Sequence, residues 1–150
     1  MKHVLFVCTH NAGRSQMAQA FFERQAPAGV RAESAGSEPA QEVWPEVVAV
    51  MREVGIDIAG QKPQMLTREM QLRADRAVTM GCGDVCPYVP TIVDAWDIPD
   101  PAGRPLDEVR VIRDLVADHV TRLIADRLDE IRGAPTRSST DTTMSRPAPG

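Results

Sequence analysis

The apolar run Val4-Leu5-Phe6-Val7 ends on Cys8, and seven residues later the chain has entered a helical pattern. Val4 to Val7 has the length and side chains of a short buried strand. Beyond Ser15, Met17 pairs with Phe21 and Ala18 with Phe22 at i,i+4 spacing, the signature of one helix face. A cysteine therefore closes a strand, and Thr9-His10-Asn11-Ala12-Gly13-Arg14-Ser15 leads into a helix N-terminus. Free backbone N–H groups and the helix dipole make such a loop an anion site. Arg14 adds a guanidinium able to grip two oxygens at once. The same positive field suits a nucleophilic sulfur at Cys8. Ser15 can donate a hydrogen bond to that sulfur. Gly13 allows close backbone approach. Asn11 tolerates the left-handed region and can brace neighbouring backbone groups. A structural cysteine beside a capping serine is the plain alternative, but Cys, five residues, then Arg-Ser between a strand and a helix is a far more specific arrangement. A dinucleotide loop is disfavoured, because Gly-x-Gly-x-x-Gly is absent from this turn.

The rest of the chain reads as alternating strands and helices. Strands are expected over residues 2–8, 30–34, 76–80 and 92–96, and helices over 14–26, 44–54, 67–72 and 106–132. Pro45 suits a first helical turn, Thr67 an N-cap, and Gly55 and Gly133 the positions just after helix ends. Alternation of this kind implies an α/β fold with a parallel sheet covered on both faces. Residues 134–150 are rich in Ser, Thr, Pro and Arg with almost no large apolar residues, so the folded domain is expected to span 1–133 and the tail to be disordered. The net charge of −4 gives no general attraction to nucleic acid or to an anionic membrane. No apolar run approaches the ~20 residues of a membrane span. The N-terminus opens directly on a strand pattern without signal-peptide organisation. A cytoplasmic enzyme is expected, in which cysteines serve redox or catalytic chemistry before structural disulfides.

Three segments together carry a family resemblance. Cys8 to Ser15 resembles the active-site loop of the low-molecular-weight protein tyrosine phosphatase superfamily, which its arsenate reductase branch shares. Gly81-Cys82-Gly83-Asp84-Val85-Cys86-Pro87 and Trp96-Asp97-Ile98-Pro99-Asp100-Pro101-Ala102-Gly103 resemble the arsenate reductases more closely. The resemblance covers about residues 1–132. It implies a flavodoxin-like four-stranded parallel sheet in the order 2-1-3-4, helices on both faces, and arsenate or phosphate as the oxyanion. It also implies Asp100 as the general acid, with Asp97 three residues earlier as the competing carboxylate, and Ser34 as a support at the base of the loop. Cys82 is implied as the thiol that resolves a Cys8–arsenic adduct, and Cys86 as the thiol that carries the disulfide outward. No tightly bound cofactor and no metal are implied. The scattered His3, His10 and His119 add little to Cys82-x3-Cys86 as a zinc set.

Two departures bear on function. Thioredoxin-coupled members have a longer segment between the two shuttle cysteines than the three residues here. Other relatives pass the arsenic to mycothiol or glutathione, with mycoredoxin or glutaredoxin as the next carrier, and need only the first cysteine. The sequence accommodates both routes. The phosphatases also follow Asp-Pro with an aromatic that holds a phosphotyrosine ring, whereas Ala102-Gly103 stands here. With three Phe, two Trp and one Tyr, a deep aromatic slot is hard to build. Phosphomonoester hydrolysis is the alternative activity.

Overall fold

The computed structural model describes residues 2–81 and 92–126, with backbone only at 92 and 93. The elements run β1 (His3–Cys8), α1 (Arg14–Gln25), β2 (Arg31–Gly36), α2 (Pro45–Glu53), α3 (Arg68–Arg73), β3 (Arg76–Thr79), β4 (Ile92–Ala95) and α4 (Leu106–Asp126). All pairings are parallel, in the order β2-β1-β3-β4, as the resemblance implied. β2 runs two residues further than expected, because Ala35 and Gly36 continue the register against Val7 and Cys8. Cys82, Cys86, the end of the last helix and the tail at 134–150 lie outside the described residues.

The alternation of β1 sorts its side chains between two layers. Val4, Phe6 and Cys8 face a large cluster with Met17, Phe21 and Phe22 of α1, Val47, Val50 and Met51 of α2, and Val109, Ile112, Val116 and Val120 of α4. Leu5 and Val7 face a smaller cluster with Ala35, Leu66, Met70 and Ala77 on the side of α3. Helices thus cover both faces unequally. Phe6 is fully buried and meets Phe22 edge-on at 5.7 Å. Each such large apolar side chain contributes roughly 1.5–3 kcal/mol by leaving water.

Helix ends follow the local chemistry of the sequence. The Thr67 side chain accepts from the Met70 N–H, capping α3. Arg113, almost fully buried, donates to the Val50 carbonyl in the last turn of α2 and pairs with Glu53 at 2.9 Å. It ties α2 to α4, which lie on the same side of the sheet as the Cys8 side chain. The carboxyl ends of β1 and β3 carry the loop after Cys8 and the residue Gly81. Crevices at that end of open parallel sheets are where ligands bind.

Candidate active site

The loop from Cys8 to Ser15 owes its shape to where its carbonyls go. Cys8 O accepts from Ser37 N at 3.4 Å, Thr9 O from Glu38 N at 2.8 Å, and His10 O from Ala40 N at 2.9 Å. Ala12 O accepts from Trp44 N at 3.1 Å and Gly13 O from Met17 N at 3.0 Å. Asn11 O takes a bond from the Gln16 side chain at 3.1 Å. In a trans peptide the carbonyl and the next N–H point in opposite directions. Six carbonyls pinned outward therefore turn the N–H groups of residues 9–14 the other way. Among the described residues, none of the backbone N–H groups of 9–15 donates to a protein acceptor. They form a preorganised set of donors beside Cys8, at the N-terminus of α1.

The segment after β2 supplies most of these clamps, and it must come close to do so. A Cβ on Gly36 would stand 2.5 Å from Thr9 O and 2.9 Å from Asn11 N. Both are backbone atoms, so only glycine fits. Gly36 also gives its N–H to Gln64 O and accepts from Leu66 N, which locks the far side.

Asn11 is the internal brace. Its φ of +51° places it in the left-handed region that asparagine tolerates. Its Oδ1 accepts from Gln64 N at 2.9 Å and from Gln16 Nε2 at 3.2 Å. Its Nδ2 donates to Ser15 Oγ at 2.7 Å, and Ser15 Oγ lies 2.8 Å from Cys8 Sγ. With its oxygen already accepting, the serine hydroxyl is free to donate to the sulfur. Cys8 itself is only 2% exposed. A bulky partner protein cannot touch a sulfur buried to this degree.

Arg14 is also buried. Its Nη1 donates to the Ile98 carbonyl at 3.1 Å, and its Nη2 lies 3.8 Å from Asp100 Oδ2. The loop of residues 97–105 is thereby held against the guanidinium. Asp100 accepts from Ala102 N at 3.0 Å, so it makes the turn before Pro101 while its other oxygen faces Arg14. Asp97 is exposed, and no ion pair links it to Arg14. Of the two carboxylates, Asp100 is the one beside Arg14.

Other sequence-derived residues fall less neatly. Gly13 makes room for the Asp100 loop: a Cβ there would meet Pro101 Cγ at 2.8 Å and the Trp44 ring at 3.2 Å. The Ser34 hydroxyl does not reach the loop, although the Ser34 carbonyl accepts from the side chain of Gln64, whose N–H holds Asn11. Ser34 lies buried in β2, and its hydroxyl donates to Gln19 Oε1 of α1 at 2.6 Å. His119 packs its ring on Trp96 at 5.1 Å, with Nδ1 and the Leu115 carbonyl 2.9 Å apart, away from the loop. The His10 ring meets Trp44 at a tilt, 5.7 Å between centroids, and its buried Nδ1 has no hydrogen-bond partner among the described residues. An aromatic side chain thus does stand beside the loop. It comes from Trp44, which in sequence signalled only a helix start.

A buried cysteine at the end of a central parallel strand, a loop after it whose N–H groups are unpaired among the described residues, and an Asp-Pro loop against Arg14 make a phosphatase-like arrangement. The chain belongs to the low molecular weight phosphotyrosine protein phosphatase family, which matches residues 3–132. It is 36% identical over 129 residues to a glutaredoxin arsenate reductase of Synechocystis, covering 83% of this chain and 98% of that one. Among solved structures, a thioredoxin-dependent arsenate reductase of Corynebacterium glutamicum superposes with a TM-score of 0.73 at 34% identity. That match covers 88% of this chain but 62% of the longer Corynebacterium protein. The YwlE arginine phosphatase from Geobacillus stearothermophilus superposes with a TM-score of 0.76 at 27% identity, covering 91% and 99%. Among the described residues no helix is long and apolar enough to cross a membrane.

Proposed function

We propose that this protein is a cytoplasmic arsenate reductase of arsenic detoxification. The observation that carries the oxyanion chemistry is the outward pinning of the loop carbonyls around buried Cys8, with Arg14 and Asp100 on the open side. Arsenate is bound by the N–H groups of residues 9–15 and by Arg14. The Cys8 sulfur attacks arsenic, an S–As bond forms, and an oxygen leaves as water after receiving a proton from Asp100. Ser15 donates to the sulfur throughout. A second thiolate then attacks the Cys8 sulfur. The S–As electron pair stays on arsenic, which falls from the +5 to the +3 state and departs as arsenite, while the two sulfurs are oxidised to a disulfide.

Support for reduction over hydrolysis comes from Cys82 and Cys86 in the sequence and from the small Ala102-Gly103 after Pro101. It also comes from similarity to chains named as arsenate reductases at 34–36% identity. The burial of Cys8 favours Cys82 as the second thiol and Cys86 as the outlet to thioredoxin. A small thiol, mycothiol or glutathione with mycoredoxin or glutaredoxin, is the other route the sequence accommodates. Hydrolysis of phosphomonoesters is the second reading, favoured by the Trp44–His10 pair beside Gly13.

The deciding experiment measures arsenite release with thioredoxin, with glutaredoxin and glutathione, and with mycoredoxin and mycothiol in parallel. At least one donor should sustain many turnovers. Hydrolysis of p-nitrophenyl phosphate without arsenite release under any donor would overturn the reading in favour of the phosphatase.

A further inference from the structure

The buried guanidinium of Arg14 needs a surface to lie on, and that surface is a glycine. Gly81 follows β3 with a φ of +83°. A Cβ built on it would sit 2.3 Å from Arg14 Nη1 and 3.3 Å from Cζ. Nη1 is the nitrogen that donates to the Ile98 carbonyl at 3.1 Å. On the other side, the Thr9 hydroxyl donates to Gly81 O at 3.3 Å. The Arg14 side chain is 7% exposed, so it has little room to move without leaving this place. Gly81 at the end of β3 thus touches the anion loop through Thr9 and Arg14, and Arg14 in turn carries the contact on to Ile98 of the Asp100 loop.

We propose that Gly81 is a positioning residue for Arg14: its missing side chain leaves the slot that fixes the guanidinium over the anion loop and, through Ile98, fixes the Asp100 loop. The proposal rests on reading residues 8–15 as an oxyanion site. A side chain at position 81 collides with the end of a flexible arginine and not with backbone. The fold can give way there by shifting the guanidinium, and what is lost is the grip on the anion. The rival explanation is that glycine serves only the left-handed backbone.

A double-mutant cycle separates the two. The readout is the concentration of inorganic phosphate that protects Cys8 of the reduced, full-length protein from iodoacetamide, followed by mass spectrometry of the Cys8 peptide. Wild type should be protected; if it is not, the oxyanion reading fails and the proposal with it. Given protection, Gly81→Ala should raise the phosphate needed by about tenfold, the size of one charge-assisted hydrogen bond. Gly81→Asn should do the same, because asparagine tolerates the left-handed region yet carries a Cβ. In an Arg14→Lys background, which has no guanidinium to displace, Gly81→Ala should add less than twofold. An equal penalty in the wild-type and Arg14→Lys backgrounds, or wild-type protection of Gly81→Asn, would show that only the backbone matters and would overturn the proposal while leaving the oxyanion site intact. Melting temperatures of all variants accompany the cycle, and Gly81→Asn serves if Gly81→Ala does not fold.

Discussion

The hydroxyl oxygen of Ser15 lies 2.8 Å from the sulfur of Cys8. The Asn11 amide donates to that same oxygen at 2.7 Å, so the hydroxyl hydrogen is directed at the sulfur. Asn11 is held in turn by Gln64 N and Gln16. The Cys8 sulfur is thus oriented by a chain of bonds reaching back to a loop more than fifty residues away in sequence. Ser15→Ala removes the last link and leaves the Asn11 amide unpaired. Arsenite release should fall by about 10–100-fold, the cost of one hydrogen bond to a charged group, while the stranded Asn11 donor lowers the melting temperature. Cys8→Ser, by contrast, should abolish release while phosphate binding survives. Equal activity of wild type and Ser15→Ala would remove Ser15 from the mechanism.

Asp100 and Asp97 are separated by the contact of Asp100 with Arg14. Asp100→Asn should slow arsenate reduction by about 10²–10⁴-fold, with a smaller effect on oxyanion affinity. Asp97→Asn should be nearly silent. Steady-state kinetics with inhibition by phosphate reads both quantities, and a reversed order of the two variants would move the general acid to Asp97.

The first third of this arrangement was legible in the sequence because it is contiguous. Strand, Cys8, loop, Arg14 and helix follow one another, and hydrophobic periodicity shows where each begins. The sheet order came from the family resemblance, since spacing alone gives only the class. The clamps on the loop carbonyls were not legible. Ser37, Glu38 and Ala40 act through backbone N–H groups, which leave no trace in residue identity. Gly36 and Gly81 act by lacking a side chain beside a distant segment, and a glycine in sequence does not say what it touches. Ser34 shows the converse: its buried hydroxyl is matched to Gln19 and not to the loop.

The electron path is tested by the two cysteines beyond the anion loop. If Cys82 resolves the adduct, Cys82→Ser and Cys86→Ser should each stop turnover driven by thioredoxin. Cys86→Ser should still release one arsenite per enzyme and trap a disulfide between Cys8 and Cys82, visible by mass spectrometry. Full activity of the double variant with mycothiol or glutathione would establish the small-thiol route in its place.

On the opposite side of β1, Glu33 accepts two bonds from Arg73, at 3.0 and 2.6 Å, and pairs with His3 at 2.9 Å. The Arg73 guanidinium above all holds the Glu33 carboxyl below its ordinary value, with His3 adding to the effect against a partial desolvation. A depressed pKa in the folded state gives stability that is present above the ordinary glutamate range and is lost as pH falls through it. Glu33→Gln should therefore flatten the acid limb of stability between about pH 3 and 5. Urea midpoints across that range check the slope. Wild type and variant should differ above it and converge below it.

Gly36 gives the sharpest test of the carbonyl clamp. A methyl at this position must be accommodated against Thr9 O and Asn11 N, which belong to the loop itself. Gly36 is also fixed from behind by Gln64 O and Leu66 N, so it cannot retreat. The loop has to move. Gly36→Ala should destabilise the protein by about 1–3 kcal/mol, as overpacking does. It should also cost on the order of 10²-fold in arsenite release, because a shift of about 1 Å misaligns the donors with the oxyanion. Gly60, where a Cβ would meet nothing within 4 Å, is the control: Gly60→Ala should leave activity unchanged. If Gly36→Ala lowers the melting temperature but retains wild-type turnover and phosphate affinity, the outward pinning of the carbonyls is scaffolding alone and does not aim the N–H groups.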